Sequence, residues 1–122
     1  MSTHLSKGDS LERRLIVFAG RVLDIAAKLP RSEEGRHISS QILRSGSATA
    51  ANYGEARGAE SRSDFVHKLR IVLKELNETA VWLQLINERS LFPADTLIAV
   101  LAENRELCRI IGASIRTARS SG

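Results

Sequence analysis

Cysteine, proline and aromatic side chains are all scarce in this chain of 122 residues. The single cysteine, Cys108, excludes an intrachain disulfide and reads as a small buried hydrophobe of the last helix. Only two prolines, Pro30 and Pro93, interrupt the chain, so long stretches carry no helix breaker. Five aromatics are too few for the composition of a β-sandwich. No apolar run approaches the ~20 residues that span a membrane. The first residues, through Gly8, are polar and lack a secretory-signal pattern, so a cytoplasmic location is expected.

Chemistry-bearing constellations are also missing. His4, His37 and His67 are scattered, and no His or Cys pair has zinc-ligand spacing, so no metal and no cofactor is expected. No Gly-Lys-Ser/Thr phosphate loop occurs. Ser45 and Ser47 lack the strand-turn-helix setting of a nucleophile elbow. Glu75 and Glu78 could be read as an acid/base pair, but they stand among Lys68, Arg70 and Lys74, and Lys74 with Glu78 suits a surface i,i+4 ion pair. An enzyme built around Asn52 and Glu55 is the weakest reading, because nothing beside them supplies a nucleophile, cofactor or metal. The chain is read as non-enzymatic.

What is present is helical periodicity. Hydrophobic residues make up 43% of the chain, enough for one core, and Ala, Leu, Arg and Glu are common. Residues 1–9 read as a flexible arm, with Ser10 as cap of the first helix. There Leu11, Leu15, Phe18, Val22, Ile25 and Leu29 form a near-heptad stripe that Pro30 ends. A second helix runs from about Glu33 to Arg57 behind the cap Ser32. A turn at Gly58-Ala59-Glu60-Ser61 follows. The third helix runs from near Ser63 to Glu88, with Phe65, Leu69, Val72, Leu76, Ala80 and Leu83 inward. The fourth runs from Pro93 to about Ala118, with Leu97, Leu101, Asn104, Cys108, Ile111 and Ile115 inward. Residues 120–122 read as a flexible tail. Short connections between four long helices predict an all-α, antiparallel up-down four-helix bundle over residues 10–119.

The second helix is unusual in its middle, from Arg44 to Glu55, where nearly every side chain is small or polar. Ile38, Ile42, Ser45, Thr49, Asn52 and Ala56 share one face. Short side chains there allow neighbouring helices to approach closely, and Asn52, if buried, must join a polar network or specify packing. Once each helix has its seam, two apolar groups are left over: Ile71, Trp82 and Leu85, and Val100, Leu107 and Ile110. Surplus of this kind marks association, and an off-stripe Trp is a common interface anchor, so a homo-oligomer is expected.

The formal charge is +4, and arginine supplies 14 of the 18 basic residues, which suits bidentate pairing with phosphate or carboxylate. Arg105, Arg109, Arg116 and Arg119 fall within about a quarter turn on the fourth helix, and Lys68, Arg70 and Lys74 add charge on the third. Such a stripe points to an anionic partner, RNA or DNA, held through phosphate, because no aromatic interleaves it for base stacking.

Two runs carry a family resemblance. Gln41-Ile42-Leu43-Arg44-Ser45 followed by Ala50-Ala51-Asn52-Tyr53-Gly54-Glu55, and then Ser63 to Glu75 with Asn77-Glu78-Thr79 and Trp82-Leu83, resemble the bacterial four-helix-bundle proteins encoded in intervening sequences of 23S ribosomal RNA. The resemblance spans about residues 12 to 118. It singles out Arg44, Ser45, Asn52, Gly54 and Glu55 as a structural motif. It also implies a ring-like homopentamer, no known catalytic activity, and kinship to the nucleic-acid-binding accessory proteins of diversity-generating retroelements. Gly46, Tyr53 and Ala56 depart from the usual Ser, aliphatic residue and Gly. The expected function is electrostatic binding of RNA or other nucleic acid by an oligomeric bundle. A protein-interaction scaffold is the alternative, with Trp82 and Leu85 serving a protein partner.

Overall fold

A computed structural model describes residues 6–120. Four helices follow one another: α1 (Lys7–Ala27), α2 (Glu33–Arg57), α3 (Arg62–Glu88) and α4 (Ala94–Ser120). Each packs on the next in the chain, while α1 and α4 barely meet. Contacts such as Glu12 with Arg57 and Glu55 with Lys68, and the hollow shared by Arg62 and Arg119, fix the neighbours as antiparallel. The architecture is the expected up-down bundle, with three tight seams and one loose one.

Helix ends follow from local chemistry. α1 begins at Lys7, three residues ahead of the expected cap at Ser10. Ser6 caps it: its hydroxyl accepts from Asp9 N at 3.0 Å, and the Asp9 carboxylate accepts from Ser6 N at 3.4 Å, a capping box that satisfies two otherwise orphaned donors. The chain from Ser6 to Asp9 therefore belongs to the start of α1 rather than to an arm, and Ser120 belongs to α4 rather than to a tail. Met1–Leu5, including His4, and residues 121–122 lie outside the described residues. Ser32 caps α2 through Gly35 N, as read from the sequence, and Ser61 caps α3 through Asp64 N. α3 ends in a Schellman arrangement without glycine. Ser90 sits at φ 54°, with Ser90 N on Asn87 O and Leu91 N on Ile86 O, and half-buried Leu91 packs on the core beyond it.

The core runs the length of the bundle. Leu15, Phe18 and Val22 of α1, Ile42 of α2, Leu69, Val72, Leu76 and Leu83 of α3, and Leu97, Leu107 and Ile111 of α4 are all fully buried. The predicted stripes hold, with local shifts. On α3, Thr79 takes the buried position expected of Ala80, which is half-buried. On α2, Tyr53 is buried, although the sequence pattern left it off the inward face.

α2 is held by closeness rather than bulk. At its centre Ser45, Gly46 and Thr49 are buried. A Cβ at Gly46 would stand 2.6 Å from Val22 Cγ1, so only glycine lets α1 come this near. A Cβ at Gly35 would stand 1.9 Å from the Pro30 carbonyl oxygen, which makes that glycine a requirement of the tight α1–α2 turn. The α2–α3 contact is polar. The hydroxyls of Ser45 and Thr79 lie 2.9 Å apart, with the Ile42 and Glu75 carbonyls beside them, so each hydroxyl proton has an acceptor. Asn104 Nδ2 donates to the Leu76 carbonyl at 2.9 Å across the α3–α4 seam. Asn52, expected to be the buried amide, is only half-buried and donates to the Ala48 carbonyl of its own helix at 2.8 Å. The inter-helix polar roles belong to Ser45, Thr79 and Asn104 instead.

Gly46→Ala should lower stability by about 1–2 kcal/mol, because overpacking against a β-branched, fully buried side chain outweighs the helix-propensity gain. Adding Val22→Ala should make the alanine at 46 tolerated. Thermal melts of the two single variants and the double variant measure the coupling, and simple additivity would refute the close approach.

Candidate nucleic-acid interface

α3 and α4 form a fixed platform for surface charge, because Asn104 and the Asn77–Cys108 contact lock their register. On their outer side Arg70 and Lys74 of α3 and Arg105, Arg116 and Arg119 of α4 are exposed. The antiparallel register adds Arg62, from the first turn of α3. Arg62, Ser63, Val66 and Arg70 line one shallow hollow together with Arg119. Nothing in helical spacing within α3 alone marks Arg62, since its membership depends on which end of α4 it meets.

Among the described residues, Arg62, Arg70, Lys74, Arg105, Arg116 and Arg119 form none of the ion pairs seen elsewhere in the bundle. The nearby carboxylates turn away from them. Glu75 and Glu78 pair with Arg44 of α2, Glu103 takes both arms of Arg14 on α1 at 2.7 and 2.8 Å, and Asp64 receives the Glu60 N–H at the start of α3. Two members of the predicted basic set do not belong to this groove as free charges. Lys68 points to α2 and pairs with Glu55 at 3.2 Å. Arg109 is held by Glu106 through two hydrogen bonds. The expected Lys74–Glu78 pair is not formed, because Arg44 reaches Glu78 from α2.

Four of the five motif residues, Asn52 excepted, reach other helices. Arg44 bridges Glu75 and Glu78, and Glu78 also accepts the Trp82 indole N–H at 3.1 Å. His37 packs edge-on to Trp82, ring centroids 6.1 Å apart. Ser45 is buried against Thr79, Glu55 is paired with Lys68, and a Cβ at Gly54 would stand 3.3 Å from Glu12 Oε2. Together they stitch α2 to its neighbours.

The expected interface residues divide. Val100 and Leu107 are wholly buried inside the protomer, so they cannot serve association. α4 is apolar over half its girth because its core contact is that wide. Trp82 and Ile71 are half-buried, and Ile110 faces an open cleft between α1 and α4 lined by Leu11, Tyr53 and Ser114. Leu85 is exposed, and the larger exposed surface lies where the periodicity gave no warning: Ile16, Val17, Leu23 and Leu43 on α1 and α2, and Val81 and Ile98 on α3 and α4.

The cleft between α1 and α4 offers one unpaired cation, Lys7, since Arg14 and Arg109 beside it are already matched by Glu103 and Glu106. Cys108 is half-buried, and burial pushes its thiol above the ordinary range, which keeps it protonated and unreactive. No metal-holding group of three or more His, Cys, Asp or Glu occurs among the described residues. No helix there is long and apolar enough to cross a membrane.

Comparison with known proteins agrees with this fold. The model of the 23S rRNA-intervening sequence protein family matches residues 12–113. A crystal structure of a protein of unknown function from the S23 ribosomal protein family of Bacteroides thetaiotaomicron superposes with a TM-score of 0.84 at 32% identity, covering 91% of this chain and 99% of that one. None of the curated proteins matches.

The Trp82 N–H and the Arg44 guanidinium hold the Glu78 carboxyl below the ordinary glutamate range. The stabilisation from this ionised group is complete above the unfolded-state value of about 4.3 and disappears as pH falls through the lower folded value. Wild type should therefore exceed Glu78→Gln in urea midpoint near neutral pH and converge with it in acid. A gap that is constant with pH would show that Glu78 does not act through its charge.

Proposed function

The chain belongs to the family of 23S rRNA-intervening sequence proteins, and we propose that it acts without catalysis, as an RNA-binding helical bundle that contacts phosphate through the outer groove of α3 and α4. One observation carries this reading. Arg62, Arg70 and Arg119 meet in one hollow of the α3/α4 side without carboxylate partners, Arg105 and Arg116 follow along α4, and the unpaired cations outside α3 and α4, Lys7, Arg13, Arg21, Lys28, Arg31 and Arg36, are spread over α1, α2 and their connection. Charge left unneutralised on one face is a footprint of polyanion binding. Contact to phosphate predicts little sequence preference and steep salt dependence.

Changing these five arginines to Glu should abolish RNA binding in a salt series. A control changing Arg13, Arg21, Lys28, Arg31 and Arg36 to Glu alters net charge equally on α1, α2 and their connection, and should keep most of the affinity. Equal loss in both variants would reduce the effect to overall charge. No binding by wild type even at low salt would favour the protein-scaffold reading.

The exposed apolar residues support assembly of copies of this chain. Ile16, Val17, Leu23 and Leu43 are exposed on α1 and α2, and Val81, Leu85 and Ile98 on α3 and α4; Ile98 shares a hollow with Arg105, so a contact through it leaves Arg62, Arg70, Arg116 and Arg119 for RNA. Two different patches suit a head-to-tail contact, which closes into a ring when the rotation allows; the family resemblance implies five subunits. Sedimentation should show an oligomer that either Leu43→Arg or Ile98→Arg dissociates. A wild-type monomer at micromolar concentration would rule this assembly out.

A further inference from the structure

We infer that the basic groove takes a nucleic-acid duplex rather than a single strand; the inference rests on the reading of that groove as an RNA site. Binding of single strands without sequence preference relies on aromatic platforms for successive bases. All five aromatics of this chain are accounted for, and none is in the groove. Phe18 and Tyr53 are buried in the core. Phe65 lines the α1/α4 cleft, Trp82 is engaged with Glu78 and His37 on the α2 side, and Phe92 packs half-buried in the loop before α4. The floor between the arginines is small or aliphatic: Ser63 and Val66 in the hollow, and Gly112 along α4. That hollow is wide and open to solvent rather than enclosed.

The array has the properties a duplex needs. Its charges stand on two long helices rather than on loops, so their spacing is fixed before binding. Arg105 to Arg119 spans ~21 Å of helix axis at ~1.5 Å per residue. A duplex presents one phosphate charge per ~1.7 Å of axis, about twice the linear density of one strand, and its backbone is already ordered. A flexible strand would have to lose conformational freedom along the whole array, with stacking limited to guanidinium planes and the exposed His67. Double-stranded RNA is recognised mainly through shape and backbone contacts, which is all this face offers. Guanidinium planes can themselves stack on unpaired bases, so the comparison of strand with duplex is decisive.

The test uses one RNA strand without self-structure, its complement, and the duplex of the two, each long enough to cover the array. Affinities are measured by fluorescence anisotropy for the wild-type protein and the five-arginine variant. The duplex should bind at least about tenfold tighter than either strand at the same salt, and the variant should lose that binding. Equal or tighter binding of a strand, lost in the variant, would overturn the duplex assignment while keeping the groove as an RNA site. Duplex binding that survives in the variant would overturn the placement. No binding of any of the three would overturn the RNA reading together with this one.

Discussion

Close approach of α2 to both neighbours is the constraint on which the rest of this bundle depends. Its middle turns carry Ser45, Gly46 and Thr49 where other helices carry Leu or Ile, so it cannot be held by apolar area alone. Gly46 instead admits Val22 of α1 to a distance no Cβ would allow, and Ser45 meets Thr79 of α3 at hydrogen-bond distance. Dispersion falls off steeply with separation, so short interaxial distance recovers part of what small side chains forgo. A buried hydroxyl pair adds directionality, because a shifted register would leave two polar groups unsatisfied.

This packing of α2 also decides where charge is spent. Small side chains bring the helix surfaces close enough for long charged residues to cross between them: Arg57 to Asp9 and Glu12, Arg44 to Glu75 and Glu78, Lys68 to Glu55, and Arg89 to Glu34. Most of these are exposed pairs of small individual worth. Their consequence is distributional. Carboxylates that could have neutralised the α3/α4 side are drawn toward α2, and Glu103 and Glu106 are occupied by Arg14 and Arg109. The outer α3/α4 groove is basic because of where the acids went as much as where the arginines are.

The sequence showed the architecture well and the surface poorly. Four strong 3.6-residue stripes, Ser32 and the two prolines define the bundle, because these signals are local and each helix must bury its stripe. Val100 and Leu107 misled for a related reason: a wheel divides apolar residues into seam and surplus but cannot say how much of a helix its neighbours enclose. Arg62, like the exposed Ile98 and Leu43, became visible only with the register between helices in hand. Lys68 and Arg109 were misplaced as free charges because their partners, Glu55 and Glu106, depend on side-chain direction. Asn52 stood out for its chemistry, yet its amide turns back to its own helix, and the buried polar roles fell to Ser45 and Thr79.

Concentrating like charge on one face ought to cost stability, and the geometry explains why the cost is small. The arginines are solvent-exposed, so water and salt screen even the close ones, Arg116 with Arg119 and the three around one hollow, Arg62, Arg70 and Arg119. Their mutual repulsion is therefore weak in the free protein. A polyanion laid along the groove meets all of them at once, and the gain grows with each counterion released. The property that makes the stripe tolerable for folding, its openness to solvent ions, is the one that makes binding collapse as salt rises. Exposed arginines on a rigid two-helix platform thus combine a small penalty in the free state with a large cooperative attraction to extended phosphate, which buried or paired cations could not provide.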